Sequence, residues 1–189
     1  AIAIGTDVTE LKRTEEKLAS PGLQRSFRTA VGIVFQNSDV QLFNSNVRDE
    51  LLFGLLQLGV PAAEAESRLD RYISLMDIGH LINRHPQNLS VGEKKRVAIA
   101  AVLAMEPQIL LLDEPSLGQD SAHKAVLVRV ARALAAAGQL VILTTHDLTL
   151  AAQADAIALL GTQGFLTCGP AAEVLRDPRH PYTQALLAA

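Results

Sequence analysis

Four stretches of this 189-residue chain carry side chains suited to chemistry on a charged ligand. The first is Ile109-Leu-Leu-Leu-Asp-Glu-Pro115, an apolar run that stops abruptly in two carboxylates. A buried strand ending this way puts both at the C-terminal edge of a sheet, where α/β folds bind ligands. Asp113 is suited to holding a Mg²⁺ ion, usually through its water shell, and Glu114 to orienting or deprotonating an attacking water. The second is Ser90-Val-Gly-Glu93, whose ends have capping-box spacing and whose Gly92 lets a ligand approach the backbone. A helix N-terminus there is an anion site. The third, Thr144-Thr-His146-Asp147, ends an apolar run in a histidine, and the fourth, Val34-Phe-Gln36-Asn, ends one in an amide that can ligate a metal or accept from water. Each has a plainer reading: an acidic turn, a helix cap, a structural histidine, a loop residue. The run Lys94-Lys95-Arg96 reads as a solvated helix face.

These residues need elements to position them, and the pattern supplies both kinds. Continuous apolar runs at residues 1–4, 30–35, 109–112, 140–145, 156–160 and 165–168 predict strands covered by helices on both faces, the last two forming a hairpin. Amphipathic stretches between them predict helices. One runs over 47–57 behind a possible Asn46 cap, and a second starts with Pro61 as its first helical residue and buries Ala65, Leu69, Tyr72, Ile73 and Met76. A third runs from Ser90 through Met105, and a fourth is capped by Ser121, striped by Val126, Val130 and Leu134, and stopped at Gly138. Alternation of strand and helix argues for an α/β fold with a mostly parallel sheet, and residues 36 to 99 read as a helical subdomain inserted into it.

Composition excludes several classes. Hydrophobic residues make up 49% and charged residues 20%, a poor fit to disorder. One cysteine, Cys168, excludes a disulfide framework or a cysteine-rich metal cage. A formal net charge of −3 carries no footprint of nucleic-acid binding. The longest apolar run, Val97 to Met105, falls far short of the roughly 20 residues a membrane span needs.

Taken in order, the strand ending in Gln36, the helical insert, Leu89-Ser-Val-Gly-Glu93, the strand ending in Asp113-Glu114 and the strand ending at His146 resemble the ATP-binding domain of ABC (ATP-binding cassette) proteins. The resemblance covers about residues 1 to 169 and implies an α/β P-loop-NTPase-like core with ATP and Mg²⁺ as cofactors. It implies that Gln36 senses Mg²⁺ and the attacking water, and that Asp113 partners Mg²⁺. Glu114 is implied as the catalytic carboxylate and His146 as the switch histidine. Ser90, Gly92 and Glu93 match the signature loop, which contacts the γ-phosphate of ATP on an opposite subunit, and Asp120 matches an aspartate that communicates between subunits. The implied organisation is a partial core over 1–35, a helical subdomain with glutamine and signature loops over 36–105, core again over 106–168, and a helical tail over 169–189.

The sequence departs from the family pattern at three places. Glu93 stands where many members have Gln, and Gln119 where an apolar residue is usual. No G-x-x-x-x-G-K-[ST] phosphate loop occurs: the pairs Gly54/Gly59 and Gly164/Gly169 have the spacing but are followed by Val60-Pro61 and Pro170-Ala171. The expectation is a member whose N-terminal portion is absent and which alone binds ATP weakly or not at all. Residues 31–43 and 94–107 resemble the ATPases of energy-coupling-factor and cobalt-type importers, whereas residues 177–187 look like the tail of peptide- and nickel-importer ATPases. The leading expectation is the ATP-hydrolysing subunit of an importer for a cobalt or nickel ion or a vitamin. It would pair with a second ATPase subunit and sit peripherally on the cytoplasmic face of the membrane, against a transmembrane subunit. Leu51, Leu52, Phe53 and Leu55 are expected near that contact or in the subdomain core. The alternatives are a non-hydrolysing partner lending Ser90 and Gly92, or the ATPase of a peptide or nickel importer. A DNA-repair or chromosome-organising ATPase fits poorly, because neither coiled-coil heptads nor a zinc module interrupts the domain.

Overall fold

A computed structural model describes residues 29–161, 164–176 and 184; the strand expected at 1–4 lies outside them, as does nearly all of the 177–187 tail. Three strands, β1 (Val31–Val34), β2 (Ile109–Asp113) and β3 (Leu140–Thr144), form a parallel sheet in the order β1-β2-β3. The register sets Val34 beside Leu112, and Asp113 beside Thr144. All three chain directions therefore finish at one edge, and the polar residues that follow each apolar run emerge together there. The hairpin predicted near the end forms as β4 (Ala156–Gly161) and β5 (Gly164–Pro170), antiparallel and in a sheet of its own.

Between β1 and β2 the chain is helical. Helix α1 (Val47–Leu58) is capped by the Asn46 side chain, which accepts from Asp49 N, and is closed by Gly59. Helix α2 (Ala62–Leu75) follows with Pro61 as its N-cap, one position earlier than expected, because Pro61 takes an extended ψ of 142°. Helix α3 (Val91–Ala104) carries the full capping box: Glu93 N donates to Ser90 Oγ, and Ser90 N donates to Glu93 Oε2. The expected Ser121 cap on helix α4 (Ser121–Ala136) is corrected to Asp120, whose carboxylate accepts from His123 N at 2.9 Å. After β3, Asp147 caps the short α5 (Leu148–Ala151), and α6 (Ala171–Arg176) follows the hairpin.

The core joins one sheet face, through Val34, Leu110 and Leu112, to α1 through α4. Leu51 and Leu55 are fully buried in it, which settles them as core rather than contact surface, while Phe53 stays exposed. Ile33, Leu140 and Ile142 lie on the opposite sheet face and remain exposed among the described residues. No helix of the described residues is long and apolar enough to cross a membrane.

Candidate functional site

At the sheet edge, the ends of β2 and β3 lock together through Thr144. Its hydroxyl donates to Asp113 Oδ1 and accepts from Glu114 N, and its carbonyl accepts from the same N–H at 3.2 Å. Those two bonds hold Glu114 at φ 44°, a left-handed conformation rare for a residue with a Cβ. The turn aims the Glu114 side chain at His146, whose Nδ1 lies 3.0 Å from Oε1. Oε2 of the same carboxylate is buried and has no hydrogen-bond partner. A buried carboxylate oxygen without a donor costs on the order of 1–3 kcal/mol, so it persists where a ligand or water supplies the missing hydrogen.

His146 sits between β3 and α5, and Asp147 anchors it from behind. The Asp147 carboxylate accepts from Thr149 N and Leu150 N, and from Lys124 Nζ at 2.7 Å. The Lys124 ammonium and these N–H groups hold its carboxyl below the usual range. The imidazole is left 76% exposed.

Gln36 emerges two residues past β1. The loop behind it is fixed by residues that sequence reasoning passed over. Gln41 acts as a surrogate strand on the open edge of β1, accepting from Phe35 N and donating to Ile33 O. Glu50, buried on α1, accepts from the N–H groups of Phe43 and Asn44 and from the Asn44 amide. The Gln36 side chain stays exposed at the edge that carries Asp113.

Lys95 corrects the reading of Lys94-Lys95-Arg96 as a solvated face. It is 1% exposed, and its ammonium donates to Phe35 O and Gln36 O at 2.8 Å each and to Asp113 O at 3.5 Å. Burial pushes its pKa down, opposed by the Asp113 and Glu114 charges. Lys94 turns outward to Asp39, 2.6 Å away.

Ser90, Gly92 and Glu93 lie at the head of α3. The capping box occupies the N–H groups of Ser90 and Glu93; helix geometry gives Val91 and Gly92 no intrahelical acceptor. Gly92 is not open to a ligand as expected. It is buried, and a Cβ there would lie 2.6 Å from Gly118 O. Gln119, the departure from an apolar residue, donates from Nε2 to Gly92 O at 2.9 Å and so ties the loop after Glu114 to α3. Asp120 faces its own helix, with Oδ1 2.7 Å from His123 Nδ1; bonds from the His123 backbone and ring hold its carboxyl below the usual range.

The described residues contain no cluster of three His, Cys, Asp or Glu able to cage a metal. The donor set is instead one or two hard carboxylates and an amide at an open edge. That suits a cation such as Mg²⁺, which keeps several waters and takes its remaining ligands from substrate phosphates.

Comparison with known proteins places the chain in a family. The family model described as ABC transporter matches residues 5–117. The chain is 43% identical over 177 residues to the nickel import ATP-binding protein NikO of Rhodobacter capsulatus, covering 92% of this chain and 68% of that protein. It is also 43% identical over 152 residues to the cobalt import ATP-binding protein CbiO of the same organism, covering 80% and 54%. Among solved structures it resembles cbiO1 of Clostridium perfringens, described as part of the cbiONQ transporter complex. The TM-score there is 0.70 at 33% identity, over 90% of this chain and 72% of that one. The chain spans 25% to 68% of the lengths of the curated relatives it matches.

Proposed function

Since the chain belongs to the ABC transporter ATP-binding family, we propose that it forms the hydrolytic and coupling part of the ATPase subunit of an importer, with cobalt or nickel ions as the favoured cargo. The observation that carries the reading is the Glu114 carboxylate, one oxygen held by His146 and the other buried and unpartnered. Bound Mg²⁺ would neutralise charge on the transferring phosphoryl group. Asp113, through the oxygen not bonded to Thr144, and the Gln36 amide are the residues to hold that ion. Glu114 Oε2 takes the proton of the attacking water as the water oxygen bonds to the γ-phosphorus and the bond to the bridging oxygen breaks. His146 fixes the carboxylate's orientation.

Two such subunits place ATP between them in this reading. The head of α3 offers the Val91 N–H group, with Ser90 and Glu93, to the phosphates on the opposite subunit. Asp120 lies at the same joint. The organisation into a core over 1–35 and 106–168, a helical subdomain over 36–105 and a tail over 169–189 belongs to the same proposal. The transmembrane partner contacts the helical subdomain at Phe43 and Phe53, whose rings meet edge to face at 4.9 Å while staying 65% and 42% exposed. The subunit thereby sits peripherally at the cytoplasmic face.

No phosphate-loop motif occurs in the 189 residues, so tight ATP binding needs phosphate contacts from outside them. A micromolar ATP affinity for these residues alone would overturn that. A second reading makes the chain a partner that only lends the head of α3. Glu114→Gln in the assembled transporter separates the two: the hydrolytic reading predicts lost turnover with ATP binding retained. Unchanged hydrolysis in that variant removes Glu114 from the reaction.

A further inference from the structure

Lys95 joins α3 to the loop after β1 and to the end of β2. Its Cα belongs to α3, a turn and a half beyond Ser90. Its ammonium reaches the first two carbonyls past β1, at Phe35 and Gln36, and the last carbonyl of β2, at Asp113. An ammonium has three splayed donors, and here they meet three carbonyl oxygens, two just past β1 and one at the end of β2. Removing an ammonium from water costs several kcal/mol unless its hydrogens are all taken up. Among the described residues no carboxylate lies within ion-pair distance of it; the nearest charges that face it are those of Asp113 and Glu114. The buried charge is therefore held by the ends of the two strands that present Gln36, Asp113 and Glu114. A lysine serving only to fill the core gains nothing from that placement.

We infer that Lys95 is a positioning residue: it clamps the ends of β1 and β2 to α3, so that Gln36 and the Asp113-Glu114 pair keep one spacing and shift only when α3 shifts. This rests on the reading of those residues as a Mg²⁺–nucleotide site. It adds to that reading a mechanical link inside one chain, from the head of α3 to the carboxylates.

The test compares Lys95→Met and Lys95→Gln with wild type in the complete ATPase assembly. Hydrogen exchange without nucleotide reads the clamp itself. Lys95→Met is expected to speed exchange by about tenfold or more at both 35–41 and 113–117, with α2 unchanged. Turnover reads its consequence: kcat falls about 10- to 100-fold and the Mg²⁺ concentration for half-activation rises, while KM for ATP moves less than about threefold. Lys95→Gln, with two donors, is expected to restore protection at 35–41 but not at 113–117. Wild-type exchange at either segment in Lys95→Met, or equal acceleration along the whole chain, overturns the proposal. Should Lys95→Met fail to fold, Lys95→Gln decides alone, and wild-type protection at 113–117 then overturns it. If wild-type assembly shows no ATP turnover, the ATPase reading fails while the exchange measurement still judges the clamp.

Discussion

His146 Nδ1 lies 3.0 Å from Glu114 Oε1, and the pair bridges two strands that pair only as far as Asp113 and Thr144. The contact is made past the last ladder bond, so it depends on the turn at Glu114 and on the Asp147 cap below His146. On the proposal that Glu114 is the catalytic carboxylate, a residue that orients it acts in the transition state more than in binding. His146→Ala is therefore expected to lower kcat by about 10²-fold or more with little change in KM for ATP. Steady-state ATPase assays on the assembled transporter check this. Unchanged kcat would leave the contact without a catalytic task.

The left-handed backbone at Glu114 makes a second prediction, about stability. A residue with a Cβ at φ 44° costs on the order of 1–3 kcal/mol, part of which glycine gives back through unfolded-state entropy. Glu114→Gly keeps the backbone bonds to Thr144 and removes the unpartnered Oε2. The variant is expected to be inactive yet more stable by about 0.5–1 kcal/mol in urea unfolding. A lower midpoint would mean that the turn is not strained.

Gly92 and Gly118 approach so closely that a methyl on Gly92 meets the Gly118 carbonyl oxygen at 2.6 Å. Both partners are backbone, so relief requires the loop after Glu114 to move. Gly92→Ala is expected to destabilise by about 1–3 kcal/mol. Gln119→Leu removes the bond to Gly92 O together with the buried, unpartnered Oε1. Those changes oppose each other, and its stability should stay within about 1 kcal/mol of wild type. Denaturant midpoints of the two variants give the comparison, and a Gln119→Leu loss as large as that of Gly92→Ala would show that this one bond holds the loop.

What was legible in the sequence is local or periodic. The strand runs that stop in Gln36, Asp113 and His146 mark one edge because a parallel sheet brings like ends together. The caps at Asn46 and Ser90 are written within four residues. What was hidden depends on partners far along the chain. Lys95 looks like its neighbour Lys94 until the carbonyls of Phe35 and Asp113, at the ends of two separate strands, close around it. Gly92 reads as room for a ligand because nothing local shows that Gly118 fills it. Asp120 and Ser121 are both good caps; Asp120 prevails because its carboxylate meets the His123 N–H and ring together. Leu51 and Leu55 share a helix with Phe53, and only packing against α3 separates core from surface.

Glu93 gives the last prediction its sign. Hydrogen bonds from Ser90, the backbone N–H first, hold its carboxyl below the usual range, with Arg84 and Arg96 adding to the effect. A folded-state value below the unfolded one favours the folded chain once the group is ionised in both states. That contribution is fully present above the ordinary carboxylate range and fades as pH falls through the folded value. Gln in this place still accepts from Ser90 N but has no charge to lose. The stability advantage of wild type over Glu93→Gln is expected to be small at neutral pH, about 0.5 kcal/mol for so exposed a group, and to vanish on acidification. Urea unfolding of both proteins from pH 7 down to about 3 measures it. A difference that stays flat over that range would mean that the Ser90 bond does not distinguish the charged from the neutral side chain.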